Sequence, residues 1–112
     1  MIAVIFEVTP NEGKLDPYLD IATSLKPELE QIDGFISVER FQSLTTEGKY
    51  LSVSFWRDEA ALAEWRNRPR HRSAQMAGRT EMFAGYRLRV AEVVRDYSET
   101  ERDQAPSDAV EI

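Results

Sequence analysis

Residues 56–71 hold most of the side chains in this sequence that suit redox or proton-transfer chemistry. Among them is His71, the one histidine of the chain. Its imidazole is expected to titrate near neutral pH and can take a proton from a phenol or a hydroquinone. This step matters because a phenolate donates an electron to O₂ far more readily than the neutral phenol does. His71 is therefore a candidate base, and the alternative is a surface histidine among arginines at a helix start.

Both tryptophans of the chain, Trp56 and Trp65, belong to the same segment. Two indole rings can hold a flat aromatic molecule between them, although tryptophans also pack in cores with the indole N–H bonded to a backbone carbonyl. The segment therefore predicts the wall of a pocket for a planar organic molecule.

The charges of the chain are unevenly distributed around its net charge of −6. Residues 66–79 contain five arginines and no acid, whereas residues 96–112 contain six acids and one base. One of these arginines is a candidate for holding an anionic oxygen; alternatively, they form a solvated face or pair with the acidic tail. A nucleic-acid-binding domain usually carries a wider basic excess, so we predict no nucleic-acid partner.

Residue types argue against several other classes of site. The chain has no cysteine and a single histidine, whereas a transition-metal site usually needs two or more such ligands, so we predict no metal site. It also lacks a P-loop, a dinucleotide-binding glycine pattern and a Ser-His-Asp arrangement. No apolar run is long enough to span a membrane, and the first residues are typical of a strand rather than a signal peptide. We therefore expect a cytoplasmic protein.

The elements that position these side chains follow from the periodicity of apolar residues. Within residues 50–56, Leu51, Val53 and Phe55 point to one side, which is typical of a strand with one face against a core. Asp58 then provides a helix N-cap, after which helical spacing begins. Pro27 is expected to kink or restart the first helix. The predicted strands are residues 1–8, 35–41, 50–56 and 86–97, and the predicted helices are residues 14–32, 58–66 and 69–81.

This order of elements predicts an α+β fold of the ferredoxin-like βαββαβ type, with a four-stranded antiparallel sheet and helices on one face. The other face must also carry apolar side chains. The candidates for it are Phe35 or Ile36, Val53 or Trp56, and Leu88 or Val93. A second copy of the chain would cover such a face, so we predict a homodimer packed sheet against sheet. The domain is assigned to residues 1–97 and an acidic tail, mobile or docked on a partner, to residues 98–112.

The most distinctive stretches of the sequence are Gly34–Phe41, Tyr50–Ala60, Pro69–Arg72 and Tyr86–Val90, together with Trp65. They resemble the antibiotic biosynthesis monooxygenase family, whose members form dimeric α+β barrels. The resemblance implies a homodimer with a cleft between sheet and helices in each subunit. It also implies that O₂ oxidises an electron-rich aromatic or quinol-type molecule without any cofactor. The alternatives are a non-catalytic small-molecule-binding or stress-response dimer and, third, a heme-degrading enzyme.

The resemblance also implies roles for individual residues. The heme branch uses a first-strand asparagine, a tryptophan and a histidine that binds iron. Trp65 matches the tryptophan, but the asparagine position lies near Phe6 and the histidine position near Gln75. The cofactor-free branch implies catalytic roles for Trp65, which packs the substrate ring, and for His71 or Asn67, one of which contacts its hydroxyl. The predicted substrate-binding residues are Trp56, Phe6, Arg40 and Tyr86.

Overall fold

A computed structural model describes residues 1–77 and 82–109, with side chains for all of these except residues 74–77. The elements of this part follow one another in the order strand, helix, strand, strand, helix, helix, strand. They are β1 (Ile2–Pro10), α1 (Leu15–Glu30), β2 (Phe35–Gln42), β3 (Tyr50–Trp56), α2 (Glu59–Arg66), α3 (Pro69–Ala77) and β4 (Phe83–Glu92). None of the helices in these ranges has the length and apolar character needed to cross a membrane.

The strands form one antiparallel sheet in the order β2-β3-β1-β4. This is the ferredoxin-like α+β fold that the order of elements predicted. The extent of the last strand differs from the prediction of residues 86–97, because β4 begins at Phe83 and ends at Glu92. The neighbouring strand β1 begins at Ile2. Just beyond the ends of β4 and β1, the Val93 amide donates a hydrogen bond to the Met1 carbonyl at 2.9 Å. Among the described residues, the pairing of β4 with β1 runs from Phe83 to Glu92.

Helix α1 runs through Pro27 as one element, so the predicted restart of the helix at this proline is wrong. Leu25 and Leu29, on either side of it, are buried in the core, and packing of an apolar face holds a helix together more strongly than intrinsic propensity does. Helix α3 begins at Pro69 as predicted. The expected end of that helix near Glu81 lies outside the described residues.

The two faces of the sheet have different surroundings. Register places Phe6, Ser52 and Arg40 in one row across β1, β3 and β2, and these side chains face the helices. The sequence left open whether Val53 or Trp56 faces away from the helices, and the structure assigns this face to Val53. Leu51, Val53 and Phe55 are half-buried on this helix-free face. The main core lies on the helix side and contains Leu25, Leu29, Ile32, Trp56, Ala61, Leu62 and Trp65.

The junction that carries α2 depends on Gly34 and Asp58. Gly34 has a φ of +95°, and a Cβ added there would lie 2.8 Å from the Ala61 Cβ, so a side chain would both strain the backbone and displace the helix. The Gly34 carbonyl accepts a hydrogen bond from the Arg57 amide at 2.7 Å. As predicted, Asp58 caps α2: its Oδ1 accepts from the Ala61 amide at 2.9 Å. These contacts fix the direction of α2 and therefore the position of Trp65.

The tail was assigned to residues 98–112, and its described part extends to residue 109. It contains turns but neither helix nor strand. It contacts itself locally: the Ser98 Oγ accepts from the Glu101 amide at 2.9 Å, and the Arg102 guanidinium lies over the Tyr97 ring at 5.3 Å. The assignment of this segment as a separate tail remains a prediction.

Candidate functional site

A cavity of about 250 Å³ lies between the helix-facing side of the sheet and the helices. Leu88 and Val90 line it while remaining 50% and 46% exposed, so the cavity opens to solvent along β4. Its apolar wall includes Val4, Phe6, Leu25, Trp56, Leu62 and Trp65, and its polar wall is formed by Tyr18, Arg40, Ser52, Ser54, Arg66 and His71. The volume of this cavity is just below the roughly 300 Å³ at which pockets for drug-sized ligands begin. Its size and lining therefore suit a small apolar molecule with few polar groups.

The rings of Trp65 and His71 contact each other at a tilted angle on the cavity wall. Their ring centroids are 4.5 Å apart with an angle of 43° between the planes, and the two residues come from adjacent helices, α2 and α3. The break between these helices at Asn67 and Arg68 brings the imidazole back over the indole. The structure therefore brings together two of the three predicted catalytic residues.

Burial lowers the pKa of His71 to about 4. This differs from the near-neutral titration expected from sequence. The cause is loss of hydration, which disfavours the imidazolium cation. At neutral pH the ring is therefore uncharged, with one nitrogen available to accept a hydrogen bond from a bound molecule.

The lowered pKa of His71 predicts a specific loss of stability in mild acid. Between pH 6.5 and 4 the unfolded chain binds a proton at this histidine and the folded chain does not, so the free energy of unfolding falls as the pH falls through this window. Because the ring is partly exposed, we expect a loss of about 1–2 kcal/mol between pH 7 and pH 4.5. Urea unfolding of the parent and His71→Gln at pH 7, 5.5 and 4.5 measures it.

The His71→Gln variant should lose clearly less stability over this range than the parent. Carboxylates affect the curve mainly at lower pH: Lys49 and Arg89 lower the pKa of Glu7, and the Ala61 amide lowers that of Asp58. These groups contribute stability that is lost only as the pH falls below their ordinary values near 4. If the free energy of unfolding changed with pH in the same way for parent and variant above pH 4.5, His71 would have the same pKa in the folded and the unfolded chain.

Trp56 forms the inner end of the cavity and is 1% exposed. Its indole Nε1 donates to the Ser54 Oγ at 2.9 Å, where the core-packing alternative expected a backbone carbonyl. Its ring meets Phe35 edge-on, with centroids 5.3 Å apart. Trp56 and Trp65 both line the cavity and both belong to the core, so packing and contact with a ligand are compatible roles here.

The structure separates Asn67 and Tyr86 from the cavity lining. Asn67 is exposed; its Nδ2 donates to the Ala63 carbonyl at 2.8 Å, and its Oδ1 accepts from Arg72. Tyr86 is 51% exposed and contacts Phe6 at a centroid distance of 5.9 Å, beside the cavity rather than on its wall. Phe6 itself lines the cavity, as do Trp56 and Arg40 among the other predicted substrate-binding residues.

The arginines around the helix break have separate surroundings. Arg68 pairs with Glu64 at 3.2 Å and Arg70 with Glu28 at 2.8 Å, while Arg66 lines the cavity. The ion pairs seen within residues 1–77 and 82–109 do not join any of them to the acidic tail. Arg66 is therefore the member of the cluster in position to meet a bound anion.

Sequence reasoning missed the small polar residues that make room for the cavity. Ser52 and Ser54 face the helices from the middle of the sheet, where larger side chains would fill the space. The available signal is their alternation with Leu51 and Val53, which indicates a strand but not the open space opposite the serines. The contribution of Tyr18 from α1 was also missed, because its helical spacing indicates burial but not what lies opposite.

The described side chains hold no group of three His, Cys, Asp or Glu residues that could form a metal site. Of the positions considered for heme, Phe6 and Trp65 line the cavity. The side chain of Gln75 lies outside the described residues.

Comparison with known proteins identifies relatives of this chain. The antibiotic biosynthesis monooxygenase family matches residues 1–77. The protein named jasmonate monooxygenase ABM of Pyricularia oryzae is 50% identical over 93 residues, covering 83% of this chain and 43% of that protein. The uncharacterized protein YqjZ of Bacillus subtilis is 30% identical over 93 residues, covering 83% of this chain and 79% of that protein. The chain thus spans less than half the length of the Pyricularia relative.

Solved structures agree with the fold. SnoaB of Streptomyces nogalater, described as a cofactor-independent oxygenase, matches with a TM-score of 0.72 at 12% identity, over 85% of this chain and 94% of that one. At this identity the likeness concerns the fold alone. The family match, which covers well over half of the sequence, confirms the resemblance drawn from the sequence. The chain belongs to the antibiotic biosynthesis monooxygenase family.

Proposed function

We propose that the chain is a cofactor-independent monooxygenase that acts on a small aromatic or quinol-type molecule in the cavity. The observation that carries this proposal is the contact between the Trp65 and His71 rings on the wall of a mostly apolar space. The indole offers a face for an aromatic ring, and the neutral imidazole offers an acceptor for its hydroxyl. Membership of the antibiotic biosynthesis monooxygenase family supports the reaction class.

The reaction needs no external reductant when the substrate carries an activated CH₂ group, as in the keto form of a hydroxyarene. The overall change is R₂CH₂ + O₂ → R₂C=O + H₂O. Loss of a proton gives an enolate, which transfers one electron to O₂, and the resulting radical pair joins to form a C–O bond. Uptake of a proton gives a hydroperoxide, and loss of water breaks the O–O bond and leaves the new carbonyl group.

The protein contributes position and charge to this sequence. His71 has a pKa of about 4 and is therefore a weak base. It takes the substrate proton because the newly formed substrate anion stays beside the imidazolium and stabilises its charge. Arg66 lines the same cavity and stabilises the enolate oxygen by its charge.

Oxygen consumption tests this proposal. With a panel of hydroquinones and anthrone-type substrates, we expect the parent to consume O₂ above the spontaneous rate. His71→Ala should slow the reaction by about 10²-fold, in line with loss of a proton acceptor, and Trp65→Phe by roughly 10-fold through poorer ring packing. Arg95→Gln, an exposed substitution beyond β4, is the matched control and should retain the parent rate. Absence of uptake with every member of the panel would favour a non-catalytic binding protein.

A second candidate substrate is jasmonate, which the name of the Pyricularia relative suggests. Hydroxylation of a saturated carbon by O₂ reduces the second oxygen atom to water, which needs two electrons that the substrate does not supply. The assay with jasmonate therefore includes an added reductant such as ascorbate. Product analysis by mass spectrometry under ¹⁸O₂ would show one labelled oxygen in the product for either substrate class.

We also propose that two chains associate through the helix-free face of the sheet. Leu51, Val53 and Phe55 lie there together with Ile5, which pairs with Val53 in register. Glu7 borders this patch, bonded to Lys49 at 3.1 Å and to Arg89 at 2.9 Å. An apolar centre beside satisfied charges is typical of a homodimer interface.

A further inference from the structure

The charge of the cavity lining is opposite to the charge of the chain. The sequence has 20 acids and 14 basic residues, yet Arg40 and Arg66 line the cavity while none of the described aspartates or glutamates does. Both arginines are exposed to solvent where they line the cavity, so their positive charge is available to a bound anion. The lining therefore favours a ligand with a negative group.

Arg40 is held at the edge of the cavity rather than extended away from it. Its guanidinium lies 5.9 Å from the centre of the Tyr18 ring, which belongs to α1 and is 9% exposed. No described carboxylate lies within ion-pair distance of Arg40. By contrast, carboxylates lie 2.8–3.2 Å from Arg57, Arg68, Arg70 and Arg89. The contact with the Tyr18 ring holds the Arg40 guanidinium in place. Its N–H groups are therefore available to donate hydrogen bonds to a ligand.

The apolar end of the cavity, at Trp56, lies four residues along β3 from the row that contains Arg40. Arg40 pairs in register with Ser52, and Trp56 lies four residues further along the same strand, which corresponds to roughly 13 Å at the usual rise of a strand. Between these rows the wall is formed by Val4, Val38 and the small side chain of Ser54. The space is therefore elongated, with a guanidinium at one end and indole rings at the other.

We propose that the cavity takes a small apolar molecule with one carboxylate, which Arg40 binds while the apolar part extends toward Trp56 and Trp65. A single guanidinium matches the two oxygens of a carboxylate in a bidentate pair. Arg66 adds a second positive charge to the lining. This inference deepens the proposed function, because it names a feature of the substrate for the same cavity.

Binding of matched acids and esters under nitrogen tests the inference without turnover. The probes are 1-naphthylacetate and its methyl ester, with jasmonate and methyl jasmonate as a second pair, each titrated calorimetrically. In the parent we expect each acid to bind at least about 10-fold more tightly than its ester. Arg40→Gln should remove this preference by weakening the acids and leaving the esters within about twofold. Arg95→Gln is the matched control and should keep the preference.

Two further measurements keep the test decisive if Arg40→Gln does not fold. Arg40→Lys keeps the charge without the planar fork and should retain only part of the preference. In the parent, raising the salt concentration should narrow the difference between acid and ester. Three results would overturn the inference. The parent could bind the esters as tightly as the acids, or Arg40→Gln could keep the full preference for the acids. The third such result is that neither pair of probes binds the parent.

The outcome is separable from that of the proposed function. Tight, Arg40-dependent binding of the acids without O₂ consumption would support the carboxylate site and reject the oxygenase. Consumption of O₂ with neutral quinols, together with no preference for acids over esters, would support the oxygenase and reject the carboxylate site.

Discussion

Replacing Trp56 by alanine is expected to lower the free energy of unfolding by about 3–5 kcal/mol. The side chain is 1% exposed, packs edge-on against Phe35 and belongs to the same core cluster as Leu62 and Trp65. Alanine would leave a cavity between sheet and helices that the surrounding rigid elements cannot close. Domains of this size are stable by about 5–15 kcal/mol, so the variant would be close to unfolding. Urea unfolding followed by circular dichroism measures the change.

Two variants separate the contributions to this loss. Trp56→Phe keeps an aromatic ring and should cost clearly less than alanine. Ser54→Ala removes the acceptor of the indole N–H, which lies 2.9 Å away, and should cost about 1 kcal/mol through the unpaired donor. A loss below about 1 kcal/mol for Trp56→Ala would mean that this end of the cavity is not part of the stabilising core.

Replacing Val53 by glutamate is expected to convert the proposed dimer to a monomer. Val53 lies on the helix-free face beside its register partner Ile5. In a sheet-to-sheet dimer the new carboxylate would be buried without a partner, which costs several kcal/mol and should raise the dissociation constant by at least about 10²-fold. Sedimentation velocity at micromolar concentration measures the distribution of species for parent and variant.

Leu44→Glu is the matched control, because it makes the same kind of change at a fully exposed position after β2. It should sediment as the parent does. A parent that is monomeric at micromolar concentration would refute the association through this face, and a Val53→Glu variant that stays dimeric would place the interface elsewhere.

Local patterns in the sequence accounted for much of the fold. Alternation in residues 50–56 and the carboxylate of Asp58 gave β3 and the start of α2, because side-chain period and helix capping depend on a few neighbouring residues. The prediction failed where distant residues decide. β4 is paired with β1 only as far as Glu92, and α1 continues through Pro27 because the leucines around it are packed in the core.

The candidate site shows the same division. The sequence alone determined that Trp56, Trp65 and His71 belong to one strand–helix segment, and that an apolar face would remain on the sheet. Only the tertiary structure decided that the His71 ring contacts Trp65 while Asn67 points outward. It also decided that the serines of β3 and Tyr18 of α1 line a common space. Which side chains meet across a cavity, and how much water each keeps, depends on the register of strands and the docking of helices far apart in the chain. Burial of His71, and with it the pKa of about 4, is a property of that packing.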